Sequence, residues 1–195
     1  VQYVTEPAEY ELSEPNVLLL DIAEYRINNE PFREREQIRK IQHVVRQTLG
    51  IPDDRAQPWS IKTDDSEHTV TLRYTFYSEC EFFNTKLALE DAENSEIIFN
   101  GEKVRSKADG YFTDKSIKTV RLPKIVCGKN VLEITQPVNR KNTMEACYII
   151  GSFNVKLRGT EGTVTSMSEK LGFGDMVSQG MPFYGANVKY SMYID

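Results

Sequence analysis

"TVTLRYTFYSE", residues 69–79, decides the fold: Val70, Leu72, Tyr74 and Phe76 fall on one side of an extended chain, and Thr71, Arg73 and Thr75 on the other. A period of two marks a strand with one face buried. The same alternation returns at "TKLALE" (85–90), "EIIFN" (96–100), "IKTVRLP" (117–123), "NVLEITQ" (130–136), "EACYIIGSFNVKL" (145–157) and "NVKYSMYI" (187–194), and most of these runs are bounded by Gly, Pro, Asn or Asp. Nothing after Ser60 has the length and 3.6-residue period of a crossover helix, so the pattern predicts an all-β, largely antiparallel sandwich of jelly-roll type. In "EIIFNGEKV" (96–104), Asn100 and Gly101 supply the two positive φ values of a type I′ turn, which predicts a tight hairpin.

The exception lies upstream. In "PFREREQIRKIQHVVRQTLGIP" (31–52), Ile38, Ile41, Val45 and Leu49 form one apolar stripe at helical spacing. Gly50 suits the left-handed residue after a helix and Pro52 blocks continuation, so an amphipathic helix is expected from about Arg33 to Leu49, packed on a sheet face or edge. Before it, "NVLLLDIAEYRIN" (16–28) reads as a strand buried on both faces. Residues 1–60 are thus expected to flank, as strand and helix, a sandwich over 61–195, the whole forming one compact unit.

Composition narrows function. A net charge of −5 with a pI near 5.3 and no basic cluster excludes a nucleic-acid partner. Apolar runs such as Val17 to Leu20 are far short of the ~20 residues that span a bilayer, so no membrane partner is expected. The chain opens on Val1 rather than Met, and "VQYVTEPAEYELSEPNV" has neither a basic leader nor a long apolar stretch, which reads as a piece of a longer protein. Cys80, Cys127 and Cys147 are odd in number and lack CxxC spacing; they read as small buried strand residues, not as a zinc site or disulfide framework, and reduced thiols favour a cytoplasmic location. No GxSxG, HExxH, P-loop or dinucleotide motif occurs, and His43 and His68 have no nucleophile or carboxylate at a recognisable spacing.

Read together, "TLRYTFYSE", "KLALEDAENSEIIFNGEKV", "DGYFTDKSIKTVRLP" and "CGKNVLEITQPV" resemble the galactose-binding-like jelly roll that accompanies glycoside hydrolases, especially the sugar-binding domain of family-2 glycosidases, over roughly residues 68–158. A narrower resemblance, carried by "PNVLLLDIAEYRIN", "VVRQTLGIP" before "QPW", "MEACYIIGSFNV" and "GFGDMVSQGMPFYGANVKY", is to bacterial proteins related to family-2 glycosidases and α-L-rhamnosidases. It implies a bacterial accessory domain beside a separate catalytic domain of the same parent chain. The carboxylates of family-2 glycosidases lie in a barrel, and no barrel is encoded here, so the chain itself is expected to be non-catalytic. Chance pairs such as Glu79 with Glu81 do not replace one.

Sugar recognition is then sought among aromatics, because pyranose C–H bonds stack on a ring while hydroxyls need fixed polar partners. Tyr111 in "SKADGYFTDKS" (106–116) is the first choice, on a loop at one end of the sandwich, with Asp109 and Asp114 as acceptors for hydroxyls. Both carboxylates also suit turn formation. Trp59 and Tyr184 come second; Trp59 suits a plug over one end of the sandwich better than a ligand contact, and Tyr184 equally suits a rigid structural stretch. No cofactor is expected; a structural calcium on the Asp109–Asp114 loop would need backbone carbonyls the sequence does not locate. The expected role is a carbohydrate-binding or active-site-supporting accessory domain, and its rival is a structural docking module with no glycan affinity.

Overall fold

The computed structural model describes residues 5–52 and 67–193, so Trp59 lies outside the described residues. Fifteen strands and one α-helix follow one another in them: β1 (Glu9–Leu12), β2 (Asn16–Leu20), β3 (Ile22–Ile27), β4 (Arg33–Gln37), α1 (Ile38–Leu49), β5 (His68–Ser78), β6 (Lys86–Glu90), β7 (Glu96–Phe99), β8 (Glu102–Val104), β9 (Gly110–Phe112), β10 (Asp114–Arg121), β11 (Gly128–Val138), β12 (Cys147–Gly151), β13 (Asn154–Arg158), β14 (Glu161–Thr165) and β15 (Val188–Ser191). A five-stranded sheet in the order β2-β12-β6-β10-β9 faces an eight-stranded one built around β5 and β11, and β1 pairs with β15 as a small separate ribbon. Every pairing is antiparallel except the short contact of β14 with β5. The architecture is a β-sandwich with one helix, as the period-two pattern requires.

The core lies where that pattern puts it. Val70, Leu72, Tyr74 and Phe76 of β5 are buried and join Leu18 and Leu20 of β2, Leu87 and Leu89 of β6, and Cys147 and Ile149 of β12 in one cluster. Each such aliphatic or aromatic side chain contributes roughly 1.5–3 kcal/mol by leaving water. Phe76 of β5 and Phe99 of β7, on either side of β11 in the same sheet, stack with centroids 6.2 Å apart.

Two N-terminal expectations are corrected. Residues 16–28 form two strands, not one: β2 belongs to the five-stranded sheet and β3 pairs with β5, so the chain crosses between the layers at Asp21. The segment expected to flank the sandwich thus supplies strands to both of its sheets. The helix starts at Ile38 rather than Arg33, because 33–37 contain no apolar residue to extend the stripe; they pair with β3 as an edge strand. Gln37 caps the helix by accepting the Arg39 N–H, and the Ile38 N–H donates to the Asp21 carbonyl. Ile38, Ile41 and Val45 are fully buried, and Gly50 closes the helix at φ 64°.

The hairpin at 96–104 forms with φ of 50° at Asn100 and 84° at Gly101. Its side chain does more than turn the chain. The Asn100 amide accepts the Val131 N–H and donates to Asn130, whose own buried amide also accepts the Val126 N–H and donates to the Val126 and Gly128 carbonyls. Two turns far apart in sequence are one satisfied network. Only Cys147 is a buried strand cysteine; Cys80 is half-buried and Cys127 exposed. No helix among the described residues is long and apolar enough to cross a membrane.

Candidate functional site

The outer face of the five-stranded sheet is where aromatic and polar groups converge. Register aligns Leu19 (β2), Tyr148 (β12), Ala88 (β6), Thr119 (β10) and Gly110 (β9) in one row across it. Cys147 and Ile149 point into the core, so the half-buried Tyr148 between them points out. Ala88 and Thr119 are small, and the trough they leave lets Phe112 lean in from the edge strand until its ring lies 5.7 Å from that of Tyr148. A register shift between Asp114 and Lys118, with Thr113 at a φ of 56° that β-branched residues avoid, puts Phe112 there.

Two adjoining cavities lie on this face. One, of about 460 Å³, is lined by Phe83, Tyr111, Lys86, Asn84, Ser152 and Glu14. Phe83 and Tyr111 are 66% and 58% exposed, so both rings are accessible to a ligand, with Lys124 Nζ 5.9 Å from the centre of the Phe83 ring. The side chains of Glu14, Asn84 and Ser152 have no hydrogen-bond partner among the described residues. The other cavity, of about 400 Å³, is lined by Val17, Leu19, Phe112, Tyr148, Phe183 and Tyr184. Glu14, Pro15 and Phe112 belong to both walls.

Of the residues singled out in the sequence, Tyr111 lines the first cavity and Tyr184 the second, while Trp59 lies outside the described residues. Tyr111 sits on the edge strand β9 and not at a loop tip. Both carboxylates are exposed but engaged by groups of the protein itself. Asp109 Oδ1 accepts from the Thr119 hydroxyl at 2.9 Å, and Oδ2 accepts from Lys86 Nζ and Arg121 Nε, each at 3.1 Å. Burial alone would raise the Asp109 carboxyl; Thr119, Lys86 and Arg121 outweigh it and hold the group below its usual range. Asp114 Oδ1 accepts the Ser116 N–H and hydroxyl, and the backbone donor first, then the hydroxyl, lowers its pKa. Tyr184 donates its hydroxyl to the Asn187 carbonyl at 2.7 Å.

Sequence reasoning missed Phe83, Asn84, Ser152, Glu14 and Tyr148. The one local signal is Asn84, which takes a φ of 59° and is the kind of residue that does so in a turn, here between β5 and β6. A third cavity, of about 310 Å³, opens at the start of α1 against Asp21, Glu90, Glu145 and Arg39. There burial, then the charge of Glu145, raises the Glu90 carboxyl. The pair Glu79 and Glu81 is instead held at the surface by Lys156 at 2.9 Å and Lys124 at 2.8 Å. Burial pushes the Cys147 thiol up to about 12, which leaves it no nucleophilic thiolate. A further cavity, of about 630 Å³ beside β1, shares Glu14 and Ser152 with the Phe83–Tyr111 cavity; elsewhere on its wall Tyr10 donates to the Ser168 carbonyl, and the Asn16 amide bridges Phe153, Gly180 and Val17. Among the described residues, no three His, Cys, Asp or Glu side chains are grouped to hold a metal ion.

No protein-family model matches the chain, and no curated protein matches it. Among solved structures, the chain is similar to the GH31 alpha-xylosidase from Xanthomonas citri, at 13% identity and a TM-score of 0.33, over 74% of this chain and 16% of that one. A likeness at that score decides neither fold nor activity.

Proposed function

We propose that this chain is a non-catalytic accessory domain of a larger carbohydrate-active protein, and that it binds sugar weakly on the outer face of its five-stranded sheet. The observation that carries the reading is the cavity between Phe83 and Tyr111, which sets two exposed rings beside the uncommitted side chains of Glu14, Asn84 and Ser152. Rings stack on pyranose faces and the polar groups meet hydroxyls. In this reading Glu14, Asn84 and Ser152 take the acceptor role first expected of Asp109 and Asp114, whose oxygens serve the fold. The resemblance to galactose-binding-like domains agrees with it. One stacked ring adds about 0.5–1.5 kcal/mol beyond its buried area, so affinity for a monosaccharide should be roughly millimolar.

Affinity electrophoresis through gels containing soluble polysaccharides tests the reading. The protein should be retarded by at least one of them, and Phe83→Ala or Tyr111→Ala should abolish the retardation. Unchanged mobility in every gel would leave the docking module as the better account. Turnover of an aryl glycoside that vanishes in Glu90→Gln would overturn the non-catalytic reading, since Glu90 and Glu145 are the carboxylates here with a mutual electrostatic influence inside a cavity.

A further inference from the structure

The two adjoining cavities share a wall at Glu14, Pro15 and Phe112, so one molecule can occupy both without leaving the surface. Their chemistry differs. The Phe83–Tyr111 cavity offers free polar side chains, whereas the polar groups of its neighbour are largely engaged. The Tyr184 hydroxyl donates to the Asn187 carbonyl and accepts the Glu14 N–H, and the Thr113 hydroxyl donates to the Phe112 carbonyl. Beyond the Glu14 carboxylate on the shared wall, what remains is Val17, Leu19 and the rings of Phe112, Tyr148, Phe183 and Tyr184. A second sugar placed there would set most of its hydroxyls against apolar walls, an unfavourable exchange for groups well hydrated in water. A flat aromatic ring has no such cost, and the Phe112 and Tyr148 rings, tilted at 53° with centroids 5.7 Å apart, give it aromatic surface to pack against.

We infer that the ligand is a glycan bearing an aromatic substituent, with its sugar ring between Phe83 and Tyr111 and the substituent in the cavity formed by Leu19, Phe112, Tyr148 and Phe183. This rests on the sugar-binding reading above and names the class of sugar derivative.

Calorimetric titration of the whole chain with methyl and phenyl glycosides of glucose, galactose and xylose tests it. For the sugar that binds, the phenyl glycoside should bind at least tenfold more tightly than the methyl glycoside. That gain should disappear in Tyr148→Ala and in Leu19→Thr, the second variant guarding against misfolding of the first, while Tyr111→Ala should weaken both ligands alike. Equal affinities, or a gain that survives both cavity variants, would overturn the inference and leave the sugar site standing. Binding of neither glycoside would remove the sugar site and the inference with it.

Discussion

Asp109 shows how a residue that looks like a ligand group can be a structural one. It ties the edge strand β9 to β10 and β6 through Thr119, Arg121 and Lys86, and so holds Tyr111 and Phe112 in place. Asp109→Ala should cost about 1–2 kcal/mol in chemical denaturation. The pH dependence has a definite sign: a carboxyl lowered in the folded state stabilises at every pH above its ordinary value, and that contribution is lost as pH falls through the folded-state value. The stability gap between wild type and Asp109→Ala should therefore be constant from neutral pH down to the ordinary aspartate range, then close under more acid conditions. A gap that widened on acidification would contradict the assignment. Tyr111, with its ring exposed, should behave oppositely: Tyr111→Ala should change stability by no more than about 0.5 kcal/mol while removing sugar binding. Asn130 is the costly one, because Asn130→Ala leaves half-buried backbone groups at Val126 and Gly128 unpaired, an expected loss of about 2–3 kcal/mol.

At the scale of elements, the C-terminus of α1 isolates a backbone effect. Gly50 has a φ of 64° and nothing within 4 Å of where a Cβ would stand, so Gly50→Ala should destabilise by about 1 kcal/mol through conformation alone. Thermal melts of that variant beside Ile41→Ala, expected to cost about 2–5 kcal/mol from the core, separate capping from packing. The long strands were legible because their alternation is written in residues whose burial the sheets then require; β5 is the clearest case. The short ones, β4 and β9, were not, since "REREQ" and "GYF" carry no alternation and owe their pairing to β3 and β10. The site was half legible for the same reason. Tyr111 stands out as an aromatic beside Asp-Gly, but the meeting of Phe83, Ser152 and Glu14 depends on which strands become neighbours, and no local pattern records that.

Across the whole molecule, the N-terminal strands are integral to the sandwich. β2 pairs with β12 and β3 with β5, and they bring Leu18, Leu20, Ala23 and Ile27 into the core. A chain reduced to residues 61–195 should give a collapsed amide spectrum, whereas a well-dispersed one would show that the sandwich folds without them. The same topology places the proposed binding face on the outer side of the sheet that β2 and β12 share, where the β1–β2, β5–β6 and β12–β13 connections meet. The measurement that tests this most directly is an amide chemical-shift titration of the intact chain with a monosaccharide at tens of millimolar. The account predicts shifts clustered at residues 83–86, 110–112 and 150–152, and their loss in Phe83→Ala; shifts confined to other parts of the chain, or none with any sugar, would contradict it.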